Sequence, residues 1–368
     1  MKNLKYRISP VDPLISRDAR QFGAGSPMHS MNWLSNTLIA GAVRTVLWKN
    51  SEEPDSIETM KALKLAAVKG IFPLLEGKMY FPRPLDIIKS AESIYQIKPC
   101  EIPEGCGANM PLDGLLPSMP DAEEDFKPEK LNAFWEKDLM IKWLKGGKND
   151  FSLDEGRTLP APPQDERVHA CIDRKTGTAV DGKLFSTRGL DFIRKESNGK
   201  GFVREQISID IEGCKLPEKF TAPLGGERRL AEFEISEGDK DLWQYPQELP
   251  ESFGERLRLI LAAPAIFAKG WLPDWIDENT LTGEIPNTNV TVKLVSAVTE
   301  RWQPVSGWGY KRGKTGPKPM RRAVPAGSVY FFRVTSGTLE AKDIWLKSIC
   351  TDEQNINDGF GLVLPGQW

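Results

Sequence analysis

Phe202 to Ile211 reads FVREQISIDI, and this stretch carries the clearest structural signal of the chain. Its apolar and polar residues alternate, which is typical of a β-strand with one buried face. Similar short apolar segments lie on both sides of it. They predict strands at 5–8, 71–75, 78–81, 167–173, 184–187, 230–235, 257–267, 290–298, 328–334 and 359–364. The chain is therefore predicted to be rich in β-structure.

Helices are fewer. Ser35-Asn36 can cap a helix whose apolar positions from Leu38 to Leu47 follow helical spacing, which leaves Arg44 on the other face. Further helices are predicted at 57–68, ended by Gly70, and at 129–145, ended by Gly146-Gly147. The mixture predicts an α+β fold.

Length and composition limit the class of protein. The 368 residues predict about two domains, and the weakest point of the pattern divides them into 1–215 and 216–368. With 11 Trp and 16 Phe the chain can fill a core, which argues against disorder. The longest apolar run, Leu259 to Ala268, is half a membrane span, and the N-terminus lacks the apolar core of a signal peptide. Five cysteines without a CxxC pair favour a reducing cytoplasm.

The net charge of −2 hides a strong asymmetry. Residues 1–50 carry seven basic side chains and two acidic ones, whereas the acidic loop 99–126 carries seven carboxylates and no base. Residues 301–339 carry eight basic side chains and no acidic one. A charge run is often only a solvated surface, but a stretch of that length without a carboxylate points to a polyanionic partner.

Residues 302–322 read WQPVSGWGYKRGKTGPKPMRR and contain the strongest nucleic-acid signal. Lysines and arginines neutralise phosphates, and flat rings stack on unpaired bases. The glycines and prolines exclude a long helix, so the sequence predicts a basic loop over 301–322. The alternative is a solubilising loop with core tryptophans at its root. At the other end, Gly359-Phe360-Gly361 partly matches the RNA-recognition strand motif, without its leading base, and predicts close backbone approach to a phosphate chain.

No enzyme signature is present. The sequence has no P-loop, no GxSxG, no HExxH and no zinc-finger spacing, and its only histidines are His29 and His169. We therefore expect no catalytic activity, no cofactor and no metal site.

Several segments together resemble one family. They are RISPVDPLISRDARQFGAG (7–25), TLIAGAVRT (37–45), GKMYFPRPLD (77–86), RVHACIDRKTGTAVDGKLFSTRGLDF (167–192), LGGERRLAEF (224–233), LAAPAIFAKGWLPDW (261–275), RWQPVSGWGYKRGKTGPKPMRRAVPAGSVYFFRV (301–334) and GFGLVLPGQW (359–368). The chain resembles the family that supplies the third subunit of the type III-B CRISPR effector, the Cmr complex, in the repeat-associated mysterious protein (RAMP) superfamily. The acidic loop carries no part of this resemblance.

The resemblance implies two ferredoxin-like (RRM-like) domains with long loop insertions and no catalytic activity. It implies a cytoplasmic ribonucleoprotein subunit in antiviral defence. Such a subunit binds the 5′ handle of the CRISPR RNA and bridges the large polymerase-like subunit to the backbone subunits. By analogy, the hairpin-like insertion at 173–184 would contact the adjacent subunit. The acidic loop would suit a basic protein partner.

Each candidate RNA-binding residue is basic, aromatic or a glycine, and each lies in a segment that matches the family. They are Arg17, Arg20, Arg44, Arg228, Arg229, Trp308, Tyr310, Lys311, Arg312, Lys314, Lys318, Arg321, Arg322, Gly359 and Gly361. Glu227 and Glu232 are close enough in sequence to pair with Arg228 or Arg229 instead. Two other functions remain open, a guide-processing endoribonuclease that uses a histidine and a protein-bridging subunit with little RNA contact.

Overall fold

A computed structural model describes residues 4–17, 30–91, 93–122, 125–146, 151–196, 199–311 and 314–368. Within these residues the fold is mixed α/β and rich in strands. The helices are α1 (Asn36–Lys49), α2 (Ile57–Leu65), α3 (Lys137–Leu144), α4 (Lys240–Trp243), α5 (Ala341–Ile344) and α6 (Glu353–Asn357), with 3₁₀ turns at Glu155–Arg157, Gly226–Arg228 and Glu237–Asp239. The strands are β1 (Leu4–Pro10), β2 (Ala67–Leu75), β3 (Lys78–Pro82), β4 (Ile87–Lys89), β5 (Ile94–Pro99), β6 (Ser118–Pro120), β7 (Phe134–Glu136), β8 (Thr158–Leu159), β9 (Gln164–Ile172), β10 (Ala179–Leu190), β11 (Ile193–Lys195), β12 (Phe202–Arg204), β13 (Gln206–Glu212), β14 (Lys219–Pro223), β15 (Leu230–Ile235), β16 (Arg256–Leu261), β17 (Thr282–Glu284), β18 (Thr291–Val298), β19 (Gln303–Val305), β20 (Trp308–Lys311), β21 (Lys314–Pro317), β22 (Arg321–Ala323), β23 (Val329–Ser336) and β24 (Val363–Gln367).

The chain folds into two compact units, and each is built from three separate segments. The first unit contains 1–77, 161–237 and 304–321, and the second contains 78–160, 238–303 and 322–368. The sequence suggested one division between residues 215 and 216. The units do not follow that division, because long-range strand pairing brings distant segments into one unit.

The first unit is organised by an antiparallel run of strands in the order β14-β15-β1-β13-β2. In β13 the apolar Ile207, Ile209 and Ile211 are buried as predicted, but Ser208 and Asp210 between them are buried as well, so the strand lacks the exposed polar face that the alternation predicted. Helix α1 connects β1 to β2 and adds Ile39 and Val43 to the same core. The two faces of this sheet therefore differ, with an apolar face under the helix.

The second unit contains a second antiparallel sheet, in the order β17-β18-β23-β16-β24. Leu257, Leu259, Phe332 and Leu364 fill its core. Two smaller sets of strands, β3-β7-β8 and β4-β5-β6, belong to the same unit.

A charged network is fully buried inside the second unit. The Arg258 guanidinium donates to a carboxylate oxygen of Asp86 and to the backbone carbonyl of Trp143. The Trp143 indole N–H donates to the other Asp86 oxygen at 2.8 Å. Neither Asp86 nor Arg258 has any solvent-exposed surface. Burial lowers the pKa of Arg258, while Asp86 acts in the opposite direction. Within the described residues, the buried charges of Asp86 and Arg258 compensate each other.

Several predicted boundaries differ from the structure. Helix α2 ends at Leu65 rather than residue 68, because Ala67 and Val68 pair with β13. The helix predicted over 129–145 begins only at Lys137, since residues 134–136 pair as β7 with β3. The strand predicted over 202–211 breaks at Glu205 into β12 and β13. The predicted strand at 359–364 begins only at Val363.

The buried network gives a stability prediction. Replacing Asp86 by Ala leaves the Arg258 charge buried without its partner, so the free energy of unfolding should fall by about 3–5 kcal/mol. Urea denaturation of the full chain, followed by tryptophan fluorescence, measures this loss. Lys342→Ala is the surface control, because its ion pair with Glu340 is well exposed. The double variant Asp86→Leu, Arg258→Met should lose less than Asp86→Ala; an equal or larger loss would contradict this account.

Candidate nucleic-acid interface

The N-terminus of helix α1 is the centre of the candidate interface. The helix has fourteen residues and no acidic residue in its first turn, and the Ser35 side chain does not cap it. The Ser35 hydroxyl instead lies 3.0 Å from the Thr37 hydroxyl. A helix N-terminus carries a partial positive charge and backbone N–H groups without helical partners. Its chemistry therefore favours an anion.

Residues 14–17 run beside this helix end. The Ser35 backbone N–H donates to the Ser16 hydroxyl at 3.1 Å, and the Met31 N–H donates to the Ser16 carbonyl at 2.7 Å. Ser16 itself is fully buried, and the next residue, Arg17, is exposed. Two hydrogen bonds thus fix the backbone that carries Arg17.

The turn at residues 225–229 packs against the same segment. The Gly226 N–H donates to the Ile15 carbonyl at 2.9 Å. A Cβ atom on Gly225 would lie 2.5 Å from that carbonyl oxygen, and Gly225 has φ of +86°, so only glycine fits there. Glu227 and Arg228 follow with φ of +56° and +54°. Two successive non-glycine residues in the left-handed region store backbone strain.

The two arginines of this turn have different surroundings. Arg228 is exposed. Arg229 is mostly buried and donates to the Glu227 carboxylate at 3.1 Å. The intramolecular salt bridge considered from the sequence is therefore present for Arg229.

The basic segment forms a β-hairpin rather than an irregular loop. Strands β20 and β21 pair between Trp308–Lys311 and Lys314–Pro317. At its root the Lys318 N–H donates to the Gly307 carbonyl at 2.8 Å, and the Thr37 hydroxyl donates to the Ser306 carbonyl at 3.3 Å. Trp308 is 63% exposed, and Lys318 is exposed.

Three predicted segments therefore meet at one helix end, and we call residues 15–17, 35–37, 225–229, 306–311 and 314–318 the α1 platform. Arg20 and Arg312 lie outside the described residues. For Tyr310, Lys311 and Lys314 the structure describes the backbone only.

The remaining candidates are not part of the platform. The Arg44 side chain donates to the Leu63 carbonyl at 2.9 Å and to the Ala66 carbonyl at 3.1 Å, so it holds the C-terminal end of α2. Arg321 lies half-buried in β22. The Arg322 guanidinium lies over the Trp302 ring, 5.0 Å from its centroid.

Gly359 and Gly361 belong to the second unit and are buried. Gly359 follows the end of α6 with φ of +80°. A Cβ atom on Gly361 would lie 2.6 Å from the Cys350 sulfur. Both glycines therefore have a role within the fold, and their burial gives no support to phosphate contact.

Two hairpins complete the exposed features of the first unit. Strands β9 and β10 confirm the strands predicted around 173–184, and His169 in β9 stacks on Phe185 and lies 2.8 Å from the Thr187 hydroxyl. The β11–β12 hairpin exposes Phe202, which the alternating pattern had placed in one longer strand. The signal that was missed is Lys200-Gly201-Phe202, which matches the start of the RNA-recognition strand motif.

Neither a metal centre nor a membrane-spanning helix is found in the described ranges. In those ranges no group of three His, Cys, Asp or Glu side chains is arranged to hold a metal ion. No helix there is both long and apolar enough to span a bilayer.

The contacts of Arg44 give a testable contrast with Arg228. Arg44→Ala leaves two carbonyls without their donor and should lower the free energy of unfolding by about 1–3 kcal/mol. Arg228→Ala should change stability little because the side chain is exposed. Chemical denaturation of both variants measures the difference. Equal stability of the two would show that the Arg44 contacts do not hold α2.

Comparisons with known proteins place this geometry in context. No curated protein sequence matches the chain significantly. A chain from a cryo-EM structure of type III-B Cmr-beta bound to cognate target RNA and AMPPnP is 15% identical, with a TM-score of 0.49, over 89% of this chain and 86% of that one. A chain from the same assembly bound to cognate target RNA is 15% identical, with a TM-score of 0.46 and the same coverage. A chain from the crystal structure of the Csm3-Csm4 subcomplex in the type III-A CRISPR-Cas interference complex is 12% identical, with a TM-score of 0.37, over 99% of this chain and 100% of that one.

A family model gives the assignment. The model of the CRISPR-associated protein family Cas_Cmr3 matches residues 6–368, nearly the whole chain. The chain therefore belongs to the Cas_Cmr3 family, and the resemblance inferred from its sequence segments is confirmed.

Proposed function

We propose that this chain is a non-catalytic subunit of a type III-B CRISPR effector. In this role it binds the 5′ handle of the CRISPR RNA and bridges the large polymerase-like subunit to the backbone subunits, in the cytoplasm and in antiviral defence. Family membership supports the assignment to CRISPR defence. The observation that carries the RNA-binding part is the convergence of three basic segments on the N-terminus of α1.

The α1 platform combines the groups that a single-stranded handle requires. The helix N-terminus offers backbone N–H groups to a phosphate. Arg17 and Arg228 are exposed beside it and can each form two parallel hydrogen bonds with phosphate oxygens. Trp308 adds an exposed ring for base stacking. Fixed cations and a few stacking surfaces hold a single strand at defined positions.

Glu227 and Arg229 act as positioning residues in this proposal. Their ion pair spans the left-handed turn, and the close contact of Gly225 with Ile15 anchors its other side. The turn therefore has little freedom, which reduces the entropy lost when Arg228 binds a phosphate.

We also propose that both units are variants of the ferredoxin-like fold. The four central strands of the first unit lie side by side as β15-β1-β13-β2. If these four are numbered along the chain, their order in the sheet is 4-1-3-2. The strands β24-β16-β23-β18 of the second unit have the same order. A ferredoxin-like domain has one helix in each of its two crossovers. Here α1 fills a crossover of the first unit, and the short helices α5 and α6 fill one of the second.

The β9–β10 hairpin supports the bridging role. Its register pairs Leu184 with Ala170 and Ser186 with Val168, so these four residues share one face. Val168 and Leu184 are 70% and 67% exposed. An apolar face on a projecting hairpin is typical of a protein contact.

The acidic loop is a second candidate contact, for a basic partner. Its Leu116 is held by a hydrogen bond to β18, and Glu101 and Glu104 are exposed.

Phosphate contacts at the platform predict a change in salt dependence. Arg228→Ala with Lys318→Ala should weaken handle binding and reduce the log–log salt slope by about 1.4, at about 0.7 for each lost contact. Titration of labelled CRISPR RNA at several salt concentrations measures the slope. Lys219→Ala is the matched control, since this lysine is exposed on the edge strand β14. An unchanged slope in the double variant would remove the platform from RNA binding.

The bridging role predicts a different loss. Val168→Ser with Leu184→Ser should impair assembly with the neighbouring subunits while leaving handle affinity unchanged, because the apolar face would contact protein. Co-purification of the subunits and RNA titration of the free chain measure the two properties. Normal assembly of this variant would refute the proposed contact.

A further inference from the structure

The β11–β12 hairpin has two faces of different character. Its register pairs Ile193 with Arg204, Arg194 with Val203 and Lys195 with Phe202. Cross-strand partners lie on the same face of a sheet, and successive residues alternate. Ile193, Lys195, Phe202 and Arg204 therefore form the outer face, and Arg194 and Val203 lie on the inner one.

The inner face is fixed to the body of the first unit by a buried ion pair. The Arg194 guanidinium donates to the Glu205 carboxylate at 2.7 Å, and Glu205 is fully buried. The Glu205 backbone N–H donates to the Phe192 carbonyl at 2.7 Å. These contacts hold both strands of the hairpin at their base, so the outer face is presented on a fixed support.

The outer face carries the exposed Phe202 ring beside the exposed side chains of Lys195 and Arg204. Phe202 is 71% exposed and Ile193 is 50% exposed. Lys195 and Arg204 are exposed, and neither has a carboxylate partner within the described part of the chain. A flat ring flanked by unpaired cations is the arrangement with which proteins bind single-stranded nucleic acid.

A polar cleft opens next to this face. It encloses about 280 Å³, and its charged lining consists of Asp12, Asp165, Arg167, Asp191 and Arg204, with Arg167 ion-paired to Asp165 at 2.7 Å. One Asp191 oxygen accepts a hydrogen bond from the Ile193 N–H at 3.0 Å. Arginines suit phosphates, and carboxylate oxygens accept hydrogen bonds from the ribose 2′-hydroxyl, the group that distinguishes RNA from DNA. Because Arg167 is paired with Asp165, Arg204 is the cation of this cleft that suits a phosphate, and Asp191 is an acceptor for a 2′-hydroxyl.

We propose that the outer face of the β11–β12 hairpin binds single-stranded RNA, with one unpaired base stacked on Phe202 and the flanking phosphates on Lys195 and Arg204. This inference rests on the proposed binding of CRISPR RNA and adds a contact outside the α1 platform. The two cations favour RNA over a protein partner, because an apolar docking face does not require positive charges beside its aromatic centre.

The test uses the full chain and a fluorescently labelled single-stranded CRISPR RNA that carries its handle. Phe202→Leu keeps an apolar side chain but removes the flat ring, so affinity should fall about 5- to 150-fold, which is the measured range of base stacking. Its salt slope should stay unchanged, because stacking releases no counterions. Lys195→Ala with Arg204→Ala should instead reduce the slope by about 1.4.

Ile57→Ala is the matched control, since Ile57 is 69% exposed on α2. It should bind RNA as the wild type does, and the thermal midpoint of each variant should match the wild type.

Three results would overturn the inference. In the first, Phe202→Leu binds RNA normally while Arg228→Ala with Lys318→Ala weakens binding; the hairpin contact is then wrong, and the proposed function stays intact. Phe202→Leu loses assembly with other subunits but keeps its RNA affinity, which makes the face a protein contact. The wild-type chain fails to bind the RNA, which removes the proposed function as well.

Discussion

The antiparallel pairing of β1 with β15 is the contact from which the candidate interface follows. Pro10 at the end of β1 lies opposite Ala231 near the start of β15, and the Val11 N–H donates to the Leu230 carbonyl. The chain leaving β1 and the chain entering β15 therefore meet at one edge of the sheet. The first segment leads through residues 14–17 to α1, and the second is the turn at 225–229. Two stretches about 200 residues apart become neighbours because one register fixes both.

The arginines of this fold fall into two groups, those that donate hydrogen bonds within the chain and those whose side chains face solvent. Arg44, Arg194 and Arg258 donate to carbonyl or carboxylate oxygens of the chain itself and stabilise local packing. Arg204 and Arg228 are instead exposed to solvent, and our proposals place RNA phosphates on them. The rigid fork of the guanidinium suits both kinds of contact, because protein carboxylates and phosphates present similar pairs of oxygens.

Local pattern predicted much of this structure, and long-range contact explains the rest. The alternation in β13, the helical spacing of α1 and the basic segment at 306–318 are visible in the sequence, because each depends on neighbouring residues. At the break between β12 and β13 the buried Glu205 pairs with Arg194, and Arg44 donates to a carbonyl of another helix. Local pattern shows neither contact. A glycine such as Gly361 allows close approach, but its sequence context does not tell whether the neighbour is a ligand or Cys350.

The division of each unit into three separate segments has a consequence for synthesis on the ribosome. The first unit needs residues 304–321, and the second needs residues 322–368. Strand β1 has no partner until β13 and β15 have emerged, and in the second unit β16 has none until β23 and β24 have emerged. Unpaired strand edges of this kind are prone to intermolecular pairing.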